Sequence, residues 1–93
     1  MDRIRFPWKR FHQRGHEQGA PKGYFWVGWV AISGWSIWAE VSPHSGREGP
    51  WRVKVEVDRG DTVGSAHEHL RTATIAREEG EKLAYLMFHG VRR

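Results

Sequence analysis

One octet, Trp51–Asp58, alternates without interruption: Trp51, Val53, Val55 and Val57 against Arg52, Lys54, Glu56 and Asp58. Successive side chains of a strand point to opposite faces, so this pattern requires a sheet with one dry and one wet side. Such one-sided sheets are antiparallel, because parallel sheets are covered on both faces. The rest of the chain must therefore supply neighbouring strands and a layer over the valines.

The neighbours are written in Gly23–Val41, GYFWVGWVAISGWSIWAEV, which holds four of the six tryptophans and no charge before Glu40. A membrane helix is the first alternative. The uncharged run from Gly23 to Ala39 is at the short end of the roughly 17–25 residues needed to span a bilayer. It also contains three glycines, two serines and no leucine, and tryptophan favours the bilayer interface over its centre. No membrane partner is expected. Aromatic and β-branched residues on both sides of Ser33-Gly34 fit a hairpin instead. A two-residue turn there sets Ile32 opposite Trp35, Val30 opposite Ile37, Trp29 opposite Trp38 and Trp26 opposite Val41. One face then carries Trp26, Val30, Ile32, Trp35, Ile37 and Val41, with Gly28 and Ala39 at its centre. The other carries Phe25, Val27, Trp29, Ala31, Ser36, Trp38 and Glu40. A one-residue slip would exchange the two faces.

Beyond the third strand the period changes. Ser65-Ala-His-Glu68 has the form of a capping box, yet Thr72, Thr74 and Ile75 favour strand, and residues 66–73 fit both. Thr74 is placed to cap a helix over residues 75–89. Leu83, Ala84, Met87 and Val91 form its apolar stripe and Gly90 its end. Leu83 and Met87 should face Trp35 and Val55.

The segments GWSIWAEVSP, GPWRVKVEVDRGD and TIAREEGEKLAYLMFHGV together resemble small uncharacterised bacterial domains built as a β-hairpin, an often irregular third strand and a C-terminal helix. The resemblance covers about two-thirds of the chain and implies a fold but no activity. The expected architecture is a two-layer α+β domain: a three- or four-stranded, mainly antiparallel sheet with one C-terminal helix on one face.

Charge divides the 93 residues unevenly. Residues 1–22 carry Arg3, Arg5, Lys9, Arg10, Arg14 and Lys22 against Asp2 and Glu17, whereas the remainder balances nine basic with nine acidic side chains. The whole excess of +4 thus lies in the first quarter, where Phe6, Trp8 and Phe11 are interleaved with it. Pro7, Gly15, Gly19, Pro21 and Gly23 discourage a long helix there. Residues 1–22 read as a basic aromatic arm, extended or a short helical turn, ending in a linker at Gly19–Gly23. Residues 23–93 read as the domain. The chain has no cysteine, which excludes disulfides and thiolate metal sites and fits a cytoplasmic setting.

Six histidines raise the question of metal. His12 and His16 have the spacing of two ligands on a helix, and His67 and His69 share one side of a strand. The two pairs are far apart in sequence and no further ligand spacing accompanies them, so no metal or other cofactor is expected. No nucleophile elbow or phosphate loop is present, and a domain this small with one helix offers little room for an enzymatic pocket. An enzyme or a small-molecule substrate is not expected. The candidate binding residues are Arg3, Arg5, Phe6, Trp8, Lys9, Arg10, Phe11 and Arg14 of the arm, with Trp29, Trp38, Arg52 and Lys54 of the sheet. Arginine and aromatic rings together suit nucleic acid, the leading expectation for a non-catalytic accessory or regulatory module. The alternative is a protein–protein module, a homodimer or small inhibitor, using the Trp29/Trp38 strip and the arm.

Overall fold

The computed structural model describes residues 3–13, 23–43, 50–60 and 62–91. Five strands and a helix follow in order: β1 (Lys9–Gln13), β2 (Gly23–Ile32), β3 (Trp35–Pro43), β4 (Trp51–Asp58), β5 (Thr62–Leu70) and α1 (Ala73–Val91). The strands lie side by side in sequence order, each antiparallel to the next, as one open sheet. The α+β class, the antiparallel sheet and the C-terminal helix are as expected. Among the described residues the sheet has five strands, however, and not three or four.

The hairpin register is the expected one, from Ile32↔Trp35 to Trp26↔Val41. Ser33 and Gly34 both have positive φ, 51° and 82°. Two left-handed residues make the turn whose twist matches that of the strands, and glycine is the residue that adopts it without steric cost. The face assignment follows: Ile37, Ala39 and Val41 are fully buried, and Trp26, Val30, Ile32 and Trp35 pack around them.

The two additional strands come from opposite ends. Residues 9–13 pair with β2 (Lys9↔Val27 to Gln13↔Gly23), so this part of the arm is an edge strand. Residues 62–70 pair with β4 across an irregularity at Val57/Asp58. The capping-box reading of Ser65–Glu68 is therefore corrected: both residues lie in β5, where pairing with the open edge of β4 outweighs local helix propensity. Thr72 caps the helix in place of Thr74, its Oγ1 accepting from the Ile75 N–H at 3.1 Å.

The helix covers β3, β4 and β5. Its most buried line is Ala76, Gly80, Ala84 and Phe88, with Leu83, Met87 and Val91 partly buried alongside. The expected stripe is thus rotated toward small residues, which let the helix approach closely. A Cβ on Gly80 would lie 2.7 Å from Val53 Cγ2. Beneath it Val53, Val55 and Val57 are fully buried, and Phe88 meets Trp35 edge-on at 6.4 Å.

Ahead of β1, residues 3–8 run along the flank of the helix on the same side of the sheet. The Ile4 N–H donates to the Glu81 carbonyl at 3.0 Å. The Phe6 N–H and the Trp8 indole both donate to Glu81 Oε2, at 3.1 and 3.2 Å. Ile4 and Phe6 are buried, and Phe6 fills the hollow above Gly28, where a Cβ would lie 2.5 Å from its own. Residues 3–13 therefore share one sheet and core with β2 to β5 and α1. The linker at Gly19–Gly23 lies outside the described residues but for Gly23, the first residue of β2.

Candidate interaction surface

The helix and the N-terminal segment cover one side of the sheet. Among the described residues nothing covers the other, and antiparallel register sorts its side chains into four rows running across the strands. The first row holds Phe11, Phe25, Ser42, Arg52 and His69. The second holds Lys9, Val27, Glu40, Lys54 and His67. The third holds Trp29, Trp38, Glu56 and Ser65, and the fourth Ala31, Ser36 and Asp58.

Two features of this face stand out physically. Its aromatic part is ordered and open. Trp29 is 54% exposed and its indole N–H donates to Ser36 Oγ on β3. That bond ties the ring to the neighbouring strand. Phe11, 45% exposed, stacks on Phe25 with centroids 5.3 Å apart and planes 21° from parallel. Its charge, in turn, is divided along the strands. The first two rows carry Lys9, Arg52 and Lys54 against Glu40, besides His67 and His69. The last two rows carry Glu56 and Asp58 and no base. Lys54 Nζ and Glu56 Oε1 meet at 3.1 Å across the divide. Being solvated, that pair contributes little to stability and mainly fixes the two side chains.

The sequence-derived candidates among the described residues fall into three groups. Lys9, Phe11, Trp29, Trp38, Arg52 and Lys54 meet on the open face. Phe6 is buried over Gly28 and Trp8 is partly buried against the core beside Gly80, a correction to their reading as contact residues: apolar rings gain more from burial than from exposure. Arg3, Arg5 and Arg10 lie away from the open face. Arg3 Nε stands 3.7 Å from Glu81 Oε1, and Arg10 lies 4.4 Å over the Tyr24 ring. Arg3 and Arg5 line a groove of about 480 Å³ beside Val30, Ile32, Tyr85 and Phe88. Arg14 and His16 lie outside the described residues. The arm's charge is therefore split between the two sides of the sheet, because alternate residues of a strand must diverge.

Sequence reasoning missed Glu81, whose carboxylate receives the N-terminal segment; the available signal was an acid one residue from Gly80 inside the apolar stripe. It also missed the sorting of charge into halves, which needs the register of β3, β4 and β5 together. His67 and His69 do share a side, with rings 6.0 Å apart, but no group of three or more His, Asp or Glu among the described residues is placed to hold a metal ion. No described helix is long and apolar enough to cross a membrane. Comparison with models of protein families, with characterised proteins and with solved structures returns no match. The functional reading rests on the face itself.

Proposed function

We propose that the chain is a non-catalytic binding module whose open sheet face recognises a protein surface. One observation carries the reading: the exposed Trp29, held by Ser36 beside Trp38, sits on a face that bears both signs of charge in separate halves. Ordered aromatic rings lose little entropy on burial and dominate protein contacts. Charges of both signs give register and selectivity against wrong partners. The sheet edges are less suited to contact, since β1 carries Lys9 and Arg10 and β5 turns Glu68 toward the helix side. A cytoplasmic setting, drawn from the absence of cysteine, belongs to the same proposal.

Nucleic acid remains a second reading, favoured by the basic half alone. There Phe11 and Phe25 could stack on bases while Lys9, Arg52 and Lys54 meet phosphates. Glu56 and Asp58 count against it at the Trp29/Trp38 end.

A photo-crosslinking side chain at Ser65, exposed in the same row as Trp29 and Trp38, in cells that express the protein, separates the two. Capture of protein, abolished by Trp29→Thr with Trp38→Thr, supports the first reading. Capture of nucleic acid, together with steeply salt-dependent binding in solution, replaces it with the second. Absence of both sinks the open face as a recognition surface.

A further inference from the structure

Resting on the reading of the open face as a protein surface, we infer that its partner is a second copy of this chain, packed sheet to sheet with the strands reversed. The four rows are self-complementary. Take a two-fold axis that runs across the strands, between the second and third rows. The rotation keeps each strand above its own counterpart and reverses the row order. The basic half of each copy then meets the acidic half of the other.

Residue by residue, Arg52 lies opposite Asp58 of the second copy and Lys54 opposite Glu56 of the second copy. Each contact occurs twice, as an isologous interface requires. The two Lys54–Glu56 pairs, already closed within each chain at 3.1 Å, stack into a square of alternating charge beside the axis. On β2, Val27 meets Trp29 of the second copy and Phe25 meets Ala31 of the second copy, so a large side chain lies over a smaller one. The least favourable contact is Glu40 over Trp38 of the second copy. Lys54 stands directly beside that carboxylate across β3 and β4.

Dimensions agree. Stacked sheets pack about 10 Å apart, which leaves room for interdigitated side chains. Five strands about 4.8 Å apart and four rows about 7 Å apart give a flat patch of roughly 600 Å². With the relief of the aromatic side chains it approaches the roughly 800 Å² per partner of a standard interface. Aligned sheets cross at about 30° because each is twisted, and a short patch of four rows accommodates that angle. The product is a four-layer assembly, helix–sheet–sheet–helix, with Trp29 and Trp38 buried at its centre.

The pairing of Arg52 with Asp58 supplies the test, because these residues stand at opposite ends of β4 and cannot meet within one chain. Wild-type protein should sediment as a dimer, with the Trp29 indole signal shielded from a soluble paramagnetic probe. Arg52→Asp and Asp58→Arg should each sediment as a folded monomer by circular dichroism. Mixed in equal amounts, the two variants should regain the dimer, since each then offers the charge the other lacks. If either fails to fold, Lys54→Glu mixed with Glu56→Lys makes the same crossing. A wild-type chain that stays monomeric from micromolar to millimolar concentration overturns the second copy as partner. The reading of the face as a protein surface survives that result if the crosslinker at Ser65 captures a different protein. A dimer indifferent to both reversals, with Trp29 open to the probe, is built on another surface and equally overturns the second copy as occupant of this face.

Discussion

At the scale of single residues, two glycines of one helix have opposite roles. Gly80 is buried where α1 touches Val53, and Gly90 is exposed with nothing within 4 Å of a Cβ. Alanine is preferred to glycine in a helix by about 1 kcal/mol. At Gly90 that preference acts alone, and Gly90→Ala should raise stability by up to that amount. At Gly80 the new methyl meets Val53 at 2.7 Å, and overpacking of this kind costs about 1–3 kcal/mol. Gly80→Ala should therefore lower the midpoint of denaturant unfolding. If both variants rise together, the helix does not sit as close to the sheet as described.

At the scale of elements, the N-terminal segment is a structural part of the fold. Phe6 is buried above Gly28, and its backbone N–H is tied to Glu81. Replacing a buried phenylalanine by alanine costs about 3–5 kcal/mol, a large share of the 5–15 kcal/mol of a typical domain. Phe6→Ala should leave the chain largely unfolded or strongly destabilised, measured by thermal melting. A melting curve unchanged from wild type would return residues 3–8 to the role of a detachable arm. Helix α1 gives a graded series. Phe88 is buried against Trp35, Leu83 is partly buried and Glu79 meets Lys82 at 3.5 Å in an exposed ion pair. Alanine at these positions should cost stability in that order, and the Glu79 change should be within about 0.5 kcal/mol of wild type. Equal effects at Phe88 and Glu79 would mean that the buried line of the helix is misplaced.

At the scale of the whole molecule, core and contact surface lie on opposite sides of one sheet and can be altered separately. Trp29 and Trp38 are paired across the hairpin on the open side, and a cross-strand aromatic pair contributes about 0.2–1 kcal/mol over alanine. Trp29→Thr with Trp38→Thr should therefore lose self-association in a sedimentation experiment and melt only slightly below wild type when both are compared at concentrations where the wild type is monomeric. Collapse of the fold in this double variant would place both rings inside and contradict the face assignment.

The sequence by itself determined the local pattern. The alternation of Trp51–Asp58, the turn residues Ser33-Gly34 and the apolar spacing after Ile75 each act over a few neighbours. They specified the hairpin register, the two faces of its strands and the helix, because side-chain period and turn geometry are local properties of the chain. Tertiary structure decided what depends on partners distant in sequence. Residues 9–13 and 62–70 have weak or divided preferences, and each became a strand because it lies beside an unpaired edge, of β2 and β4 respectively. Phe6 and Trp8 resemble the exposed Phe11 in composition and setting. Phe6 went inward because Gly28 leaves a hollow and Trp8 because Gly80 does, and Glu81, some seventy residues away, receives the backbone N–H of the first and the indole of the second. The division of the open face into a basic and an acidic half has the same origin. Each strand carries only a fragment of it, and the pattern exists once β1 to β5 are set in register.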